Sequence, residues 1–189
     1  MSQDPAAAAA PIEVERVWLL RGMPALPATA EVWQLEQGYL AAPAGPHSGA
    51  APGAITEGRL RRSVAPDGRE TFLHTVKEGT GLVRREVERP LTREAFVAAW
   101  PGTAGRRLRK RRHRVPADGV VIEVDEFLGL GPVEGRPLVM AEVEFRSREE
   151  ALAYAPPPWL SAEIVREVTE EPAFRNYSLA VRSGTIVPP

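Results

Sequence analysis

Charged side chains occupy alternate positions in six short runs of this 189-residue chain. The sets are Glu13 and Glu15; Arg59 and Arg61; Arg84, Glu86 and Glu88; Lys110 and Arg112; Glu123 and Asp125; and Glu142 and Glu144. Successive side chains of a β-strand point to opposite faces, so the members of each set share one face of a strand. Residues of the opposite parity are often apolar, as at Val14, Leu60 and Val143. The spacing therefore predicts strands with one charged and one apolar face.

Acids and bases that share one face of a sheet could act together on a charged ligand. An open, half-buried sheet turns its charged face to water. A sheet that closes on itself makes that face the lining of a lumen instead. A lumen with both carboxylates and basic groups would suit a polyanion together with its metal ions.

The composition limits the other kinds of site. The chain has no cysteine and three histidines, which excludes disulfides, Cys-ligated zinc and iron–sulfur clusters and leaves oxygen or histidine to bind any metal. Lys and Arg total 24 against 25 Asp and Glu, a balance that argues against non-specific nucleic-acid binding. No apolar stretch reaches membrane-spanning length, and residues 1–11 lack the features of a signal peptide. We expect a soluble, cytoplasmic protein with no membrane partner.

A mainly β, antiparallel fold must position these charges. Strand-like runs cover 12–20, 32–40, 55–64, 70–78, 82–89, about 105–115, about 119–128 and about 137–146. Thr92 is placed to cap a helix that ends at Pro101, Ser147 with Glu150 matches a capping box for a helix over 148–155, and 173–181 predicts a short helix against or across a barrel end. About eight strands with few peripheral helices predict a β-barrel. The domain would span 12–181, with a disordered tail at 1–11 and a second tail at 182–189.

A series of short motifs runs in order from about Ile12 to Val181. They are EVER, QGYL, RLR, TVK, GLVRREVE, GRRLRKRR, IEVDEF, MAEVEF, PPPWL, and EVT followed by RNYSLAV. In order and spacing they resemble the CYTH superfamily, and more closely its bacterial triphosphate tunnel metalloenzymes. The resemblance implies an eight-stranded tunnel whose charged interior binds triphosphate compounds, and metal-dependent hydrolysis, commonly of inorganic triphosphate.

The resemblance also implies roles for the charged residues. The substrate would be bound by Arg59, Arg61, Lys77, Arg84, Lys110, Arg112 and, near the C-terminus, Arg175. Mg²⁺ or Mn²⁺ would be bound by Glu13, Glu15, Glu142 and Glu144, with Asp125 and Glu86 in support. Hard oxygen ligands select these ions, and crowded carboxylates need cations to neutralise them. Glu13 or Glu15 would be the general base that takes a proton from the attacking water.

One position departs from the family pattern. The N-terminal signature Glu-x-Glu-x-Lys keeps both glutamates, Glu13 and Glu15, but Val17 stands at the lysine position. Arg16 has the opposite parity and cannot take its place. Either another base compensates or the activity is altered.

Several functions stay open on the sequence alone. The first is a triphosphatase that favours inorganic triphosphate over nucleotides, because we expect no aromatic residue at an inward position to hold a base. The second is a protein weakened by Val17 that only binds polyphosphate-type ligands, and the third is adenylate cyclase or thiamine triphosphatase activity. The competing structural explanation pairs the acids with the lumen bases as salt bridges. In the basic run 106–114 alternate residues face opposite ways, so we expect Arg107, Arg109 and Arg111 outside, with Arg85, and no nucleic-acid partner.

Overall fold

The runs of alternating charge form strands, as their spacing predicts. The computed structural model describes residues 12–40, 58–78 and 83–184, without the side chains at 12–13, 77–78, 83–86 and 184. Its strands are β1 (Ile12–Leu20), β2 (Glu31–Tyr39), β3 (Arg59–Val64), β4 (Glu70–Glu78), β5 (Val83–Pro90), β6 (Arg107–Ala117), β7 (Val120–Leu128), β8 (Val139–Phe145) and β9 (Ile164–Glu167). Its helices are α1 (Arg93–Ala99), α2 (Arg148–Ala153), α3 (Pro158–Ser161) and α4 (Asn176–Gly184), with 3₁₀ turns at Trp100–Thr103 and Pro172–Phe174.

The strands of the described ranges form one nine-stranded antiparallel sheet. Its order is β5-β4-β3-β2-β6-β7-β8-β1-β9, and β1 pairs with β5 as well. That extra pairing joins β5, at one end of the order, to β1, the last strand but one, along a seam of three residue pairs, from Ile12 with Arg85 to Val14 with Val83. The predicted mainly β, antiparallel fold is confirmed. The word barrel describes it only loosely, because the seam is short and β9 continues the sheet beyond β1.

Helices α1 and α2 begin where the sequence supplies a capping side chain. Thr92 Oγ1 accepts a hydrogen bond from the backbone N–H of Ala95 at 3.2 Å, at the start of α1. Ser147 Oγ accepts one from the N–H of Glu150 at 3.2 Å, at the start of α2. These caps satisfy N–H groups that the first helical turn leaves without partners, which confirms both predicted helices.

The two larger apolar clusters of the described residues lie on opposite faces of the sheet. The first, the outer core, joins outward residues of β1, β7 and β8 to α2 and α3 and includes Trp18, Ile122, Val124, Val143, Ala151 and Leu160. The second, the end plug, lies on the inner face beneath α4 and includes Leu19, Leu108, Phe127, Met140, Phe174 and Leu179. Alternation along the strands supplies both clusters, because neighbouring residues face opposite ways. Beyond the end plug, the inner face carries the charged side chains together with some apolar ones.

Most residues of the two predicted tails have no described structure. The predicted tail at 1–11 lies outside the described residues, as do residues 185–189 of the predicted tail at 182–189. The division into one domain and two tails therefore stays a prediction. In the described part of the chain no helix is both long and apolar enough to cross a membrane.

Candidate functional site

The inner face of the sheet encloses a cavity of about 650 Å³. Each of the strands β1 to β8 contributes to its lining, and so does the C-terminal segment from Val168 to Tyr177. Among the described residues its charged lining consists of six bases, Arg59, Arg61, Lys110, Arg112, Arg114 and Arg175, and six acids, Glu15, Glu88, Glu123, Glu142, Glu144 and Glu171. A volume of about 300–1,000 Å³ is typical of small-ligand sites.

Most of the described residues expected in the site do line this cavity. They are Glu15, Arg59, Arg61, Lys110, Arg112, Glu142, Glu144 and Arg175. Asp125 lies behind the lining, buried against two of the bases. The side chains of Glu13, Lys77, Arg84 and Glu86 are outside the description, so their places in the site stay predictions.

Arg59 and Arg61 of β3 form the basic wall of the cavity. Their Nη2 atoms both donate to Glu88 Oε1, at 3.3 and 3.2 Å, and Thr75 Oγ1 lies 3.0 Å from the same oxygen. The Nε of Arg61 is buried and has no hydrogen-bond partner among the described residues. Burial, together with the charge of Arg59, lowers the pKa of Arg61 from its ordinary value. The Arg61 guanidinium therefore has an N–H donor that the described residues leave unpaired.

Glu15, Glu142 and Glu144 form the acidic wall. In the β1–β8 register Glu15 lies opposite Glu144 and Val17 lies opposite Glu142. Like charges directly opposite each other destabilise a sheet, so this wall favours a cation. No group of three or more acidic or histidine side chains is already arranged to hold a metal ion, among the residues described. By chemistry the donor set still fits a hard divalent cation, because it offers carboxylate oxygens from two adjacent strands.

Asp125 binds two bases of β6 in a buried cluster. Its carboxylate accepts from Arg112 Nε and Nη2, both at 2.7 Å, and from Lys110 Nζ at 2.5 Å. The side chains of Asp125 and Lys110 are 4% and 2% exposed. Asp125 is therefore already neutralised by side chains, which fits a supporting place rather than direct contact with a ligand in the cavity.

The buried cluster shifts the pKa of each member. Burial alone would raise the pKa of Asp125, but Arg112 and Lys110 hold it well below its usual range. Burial and the charge of Arg112 lower the pKa of Lys110. Burial opposes the charge of Arg112 as well, yet Asp125 and its neighbouring carboxylates raise the pKa of Arg112 well above its ordinary value. The Arg112–Asp125 pair is therefore ionised throughout the physiological range.

Val17 faces the cavity, as its parity predicts, and the chain around it is held by the C-terminal segment. Its N–H donates to Thr169 Oγ1 at 2.9 Å and its carbonyl accepts from the N–H of Val168 at 2.8 Å. Its side chain packs against the end plug. Arg16 points the other way, and its Nη2 lies 2.7 Å from Glu167 Oε2. Val17 is thus an apolar residue between the end plug and the acidic wall.

Sequence reasoning left several lining residues out of the site. Glu88, Arg114 and Glu123 line the cavity, and each shares the parity of a residue that was included, Glu86, Arg112 and Asp125 respectively. Alternation could therefore have identified them. Thr169 and Glu171 come from an irregular segment, where no strand period exists to place them.

The expectation that no aromatic residue faces the cavity is wrong. Trp33 and Tyr39 of β2 and Tyr177 at the start of α4 belong to the lining. Trp33 and Tyr39 lie at the inward positions of β2, whose parity was not assigned because the strand carries no run of alternating charge. The Tyr39 and Tyr177 rings meet edge to face with centroids 5.4 Å apart.

The basic run of β6 divides between two faces. Arg107 donates to Thr103 Oγ1 at 2.8 Å and lies over the Trp100 ring. Arg111 pairs with Glu126 at 2.8 Å with a half-exposed side chain. Neither lines the cavity, so the described part of the chain offers no continuous basic stripe here for nucleic acid.

Comparisons with known proteins give the family. No protein-family model matches the chain. An inorganic triphosphatase of Nitrosomonas europaea is 36% identical over 171 residues, which cover 89% of this chain and 97% of the relative. The crystal structure of the inorganic triphosphatase NE1496 aligns with a TM-score of 0.57 and 31% identity, over 94% of this chain and all of the other. A further crystal structure, of the hypothetical protein NE1496, aligns with the same TM-score at 32% identity, over 93% and 99% of the two chains. The chain belongs to the inorganic triphosphatase family.

Proposed function

We propose that this chain hydrolyses triphosphate compounds, inorganic triphosphate first among them, inside its charged cavity. The observation that carries the proposal is the separation of the basic wall from the acidic wall, which lie three or four strands apart around the sheet. A linear triphosphate is dense in negative charge and has no apolar part, so it needs several fixed bases. The relationship to an inorganic triphosphatase supports the same substrate here.

The basic wall would bind the phosphates. Arg59 and Arg61 together pair with one carboxylate, Glu88, whose side chain is 39% exposed. Guanidinium groups bind phosphate oxygens through paired N–H donors, and the Nε of Arg61 is a donor that no described residue pairs. Lys77, Arg84, Lys110, Arg112 and Arg175 belong to the proposed binding set as well.

The acidic wall would hold Mg²⁺ or Mn²⁺. Glu15, Glu142 and Glu144 are its described members, Glu13 completes the proposed set, and Asp125 and Glu86 support it. Such a cation, when bound, offsets phosphate charge and makes a water more acidic. Glu15, with Glu13 as the alternative, would accept the proton of the water that attacks the terminal phosphorus. The bond between the terminal phosphorus and its bridging oxygen then breaks, and phosphate and pyrophosphate leave.

The aromatic lining favours a second substrate class. Trp33 and Tyr39 offer apolar ring surface beside the basic wall, and an organic triphosphate such as a nucleotide or thiamine triphosphate could place its base against such rings. The same cavity would then cleave both classes with different efficiency.

A phosphate-release screen tests the proposal. Triphosphate, ATP, thiamine triphosphate and long-chain polyphosphate should each be supplied with Mg²⁺, with Mn²⁺ and with EDTA. We expect triphosphate to react fastest, and EDTA to abolish release until the metal is restored. Full activity in metal-free buffer would contradict the metal-dependent mechanism. Faster release from ATP or thiamine triphosphate would favour the second class, and binding without turnover would favour a weakened, ligand-holding protein.

A matched pair of variants assigns the chemistry to the cavity. Glu144→Gln removes a carboxylate from the acidic wall, whereas Glu126→Gln removes one from the outer face of β7, where it pairs with Arg111. We expect the first substitution to lower turnover at least tenfold, which corresponds to about 1.4 kcal/mol, and the second to leave it unchanged. Equal activity of the two variants would exclude Glu144 from the site.

A further inference from the structure

Arg112 is the base of this cavity with the most carboxylate partners among the described residues. Besides the two bonds to Asp125, its Nη1 pairs with Glu123, and its Nη2 lies 3.3 Å from Glu142 Oε2. Glu123 and Glu142 line the cavity, whereas Asp125 lies behind it. One guanidinium therefore connects the buried cluster to the acidic wall.

The contacts of Arg112 differ in how firmly they are held. The two bonds to Asp125 are short and bidentate, and they fix the plane of the guanidinium. The contact with Glu142 is the longest of the set at 3.3 Å, and it uses an Nη2 that Asp125 already holds in place. Asp125 thus anchors Arg112, and the Glu142 contact is the one that can be exchanged at least cost.

We propose that Arg112 exchanges partners during binding, from Glu142 in the empty cavity to a phosphate oxygen of the substrate. The proposal rests on the function proposed above. While the cavity is empty, Arg112 neutralises part of the charge of Glu142. Once Glu142 ligates a divalent cation, the Nη2 of Arg112 turns its donor to phosphate. Arg112 is then a positioning residue for Glu142 and a phosphate ligand in succession.

The exchange predicts a result that differs from the result expected if Arg112 only stabilised the fold or only bound phosphate. Arg112 and a divalent cation compete for Glu142, so removal of Arg112 should strengthen cation binding to the empty cavity. The same removal should weaken triphosphate binding. A residue that only stabilised the fold would weaken both, and a residue that only bound phosphate would leave cation binding alone.

Arg112→Gln tests the exchange in the full-length protein. The other carboxylates keep bases after this change, because Asp125 still pairs with Lys110 and Glu123 with Arg114. Titration with Mn²⁺ alone, followed by the electron paramagnetic resonance signal of free Mn²⁺, should show affinity raised about threefold to tenfold, as expected for a partly buried ion pair. Calorimetry with inorganic triphosphate in EDTA should show affinity lowered by about threefold or more.

Arg114→Gln is the matched control. It removes the same charge from the same cavity face, but its contact is with Glu123 rather than Glu142. We expect it to raise Mn²⁺ affinity less than Arg112→Gln does. If the two variants raise it equally, the effect is one of net charge and the exchange is overturned.

Glu142→Gln should have the opposite effects on the two affinities. It tests the exchange if Arg112→Gln does not fold. It should lower Mn²⁺ affinity and, by releasing Arg112, raise triphosphate affinity in EDTA. A fall in both affinities would overturn the exchange. If the parent binds Mn²⁺ and hydrolyses triphosphate while Arg112→Gln binds Mn²⁺ no more tightly, the exchange alone is wrong. If the parent neither binds Mn²⁺ nor hydrolyses triphosphate, the proposed function fails and the exchange fails with it.

Discussion

Two pairs of bases on the cavity side, each with a spacing of two residues, have different surroundings: Arg59 with Arg61 on β3, and Lys110 with Arg112 on β6. Arg59 and Arg61 of β3 meet Glu88, which is 39% exposed. On β6 the two bases meet Asp125, whose side chain is 4% exposed. Burial with like charge lowers the pKa of Arg61, whereas carboxylates raise that of Arg112. One sequence pattern therefore produces a pair whose carboxylate partner is exposed and a pair whose carboxylate partner is buried.

The largest effect should come from the buried pair. Asp125→Asn leaves Lys110 and Arg112 close together in a buried site without their shared carboxylate. Breaking a buried ion pair from one side costs about 3–5 kcal/mol, so we expect a loss of that size in the free energy of unfolding. Urea unfolding measures it. Glu88→Gln is the control, since its carboxylate is half exposed and should cost less than about 1 kcal/mol. Equal losses would remove the distinction between the two pairs.

The next effect concerns activity rather than stability. Arg61→Gln removes a base whose Nε has no described partner and whose neighbour Arg59 repels it, so the fold should lose little. A lost contact from a charged donor to phosphate costs about 1.5–3 kcal/mol, or about tenfold to a hundredfold in kcat/KM. Steady-state phosphate release tests this, with exposed Arg109→Gln as the control. Unchanged kcat/KM with normal folding would show that the basic wall does not bind substrate.

Acid should remove the contribution of Asp125 to stability. The pKa of Asp125 is depressed in the folded state, so its contribution to stability is present above the unfolded pKa of about 3.9 and is lost as the pH falls below it. Asp125→Asn lacks that contribution. The difference in unfolding free energy between parent and variant should therefore shrink as the pH falls below about 4. A difference that stayed constant down to low pH would mean that the pKa is not depressed.

Val17→Lys should have the smallest effect. It would add a base beside the carboxylates of the acidic wall. The added ammonium would lie beside Glu142, its cross-strand partner, at some cost in packing against the end plug. We expect triphosphatase activity to rise by up to about tenfold, the equivalent of one modest charge-assisted contact, while Val17→Ala changes little. A variant that folds normally, by its melting temperature, and gains no activity would refute the idea that a base is missing at this position.

Alternation correctly predicted that several of the described charged side chains face inward, where charges recur at every second residue. Arg59 with Arg61 and Glu142 with Glu144 line the cavity for that reason. Alternating charge could not assign the inward face of β2, because Trp33 and Tyr39 are uncharged. The short strand β9 escaped prediction as well, since four residues are too few to show a period.

The partners of each charge could not be predicted, because they depend on strand order and register. Arg112 lies directly opposite Asp125 only because β6 pairs with β7 in one particular register. A shift by one residue would have turned Asp125 to the outer face. In the sequence nothing distinguishes Asp125 from Glu123, the other acid on the same face of the strand. The register of β6 with β7 makes it the partner of two bases.

The position of β1 in the sheet also fixes the order in which the cavity can be built. The basic wall lies in the β3–β4 hairpin, whose strands are joined by a short turn. The acidic wall needs β1 to meet β8, and the backbone of Val17 is tied to Thr169, 152 residues further along the chain. Contacts so distant in sequence close late in folding. During synthesis, therefore, β1 emerges long before β8 and Thr169 can pair with it, and a nascent chain presents the arginines of the basic wall before the acidic wall is assembled.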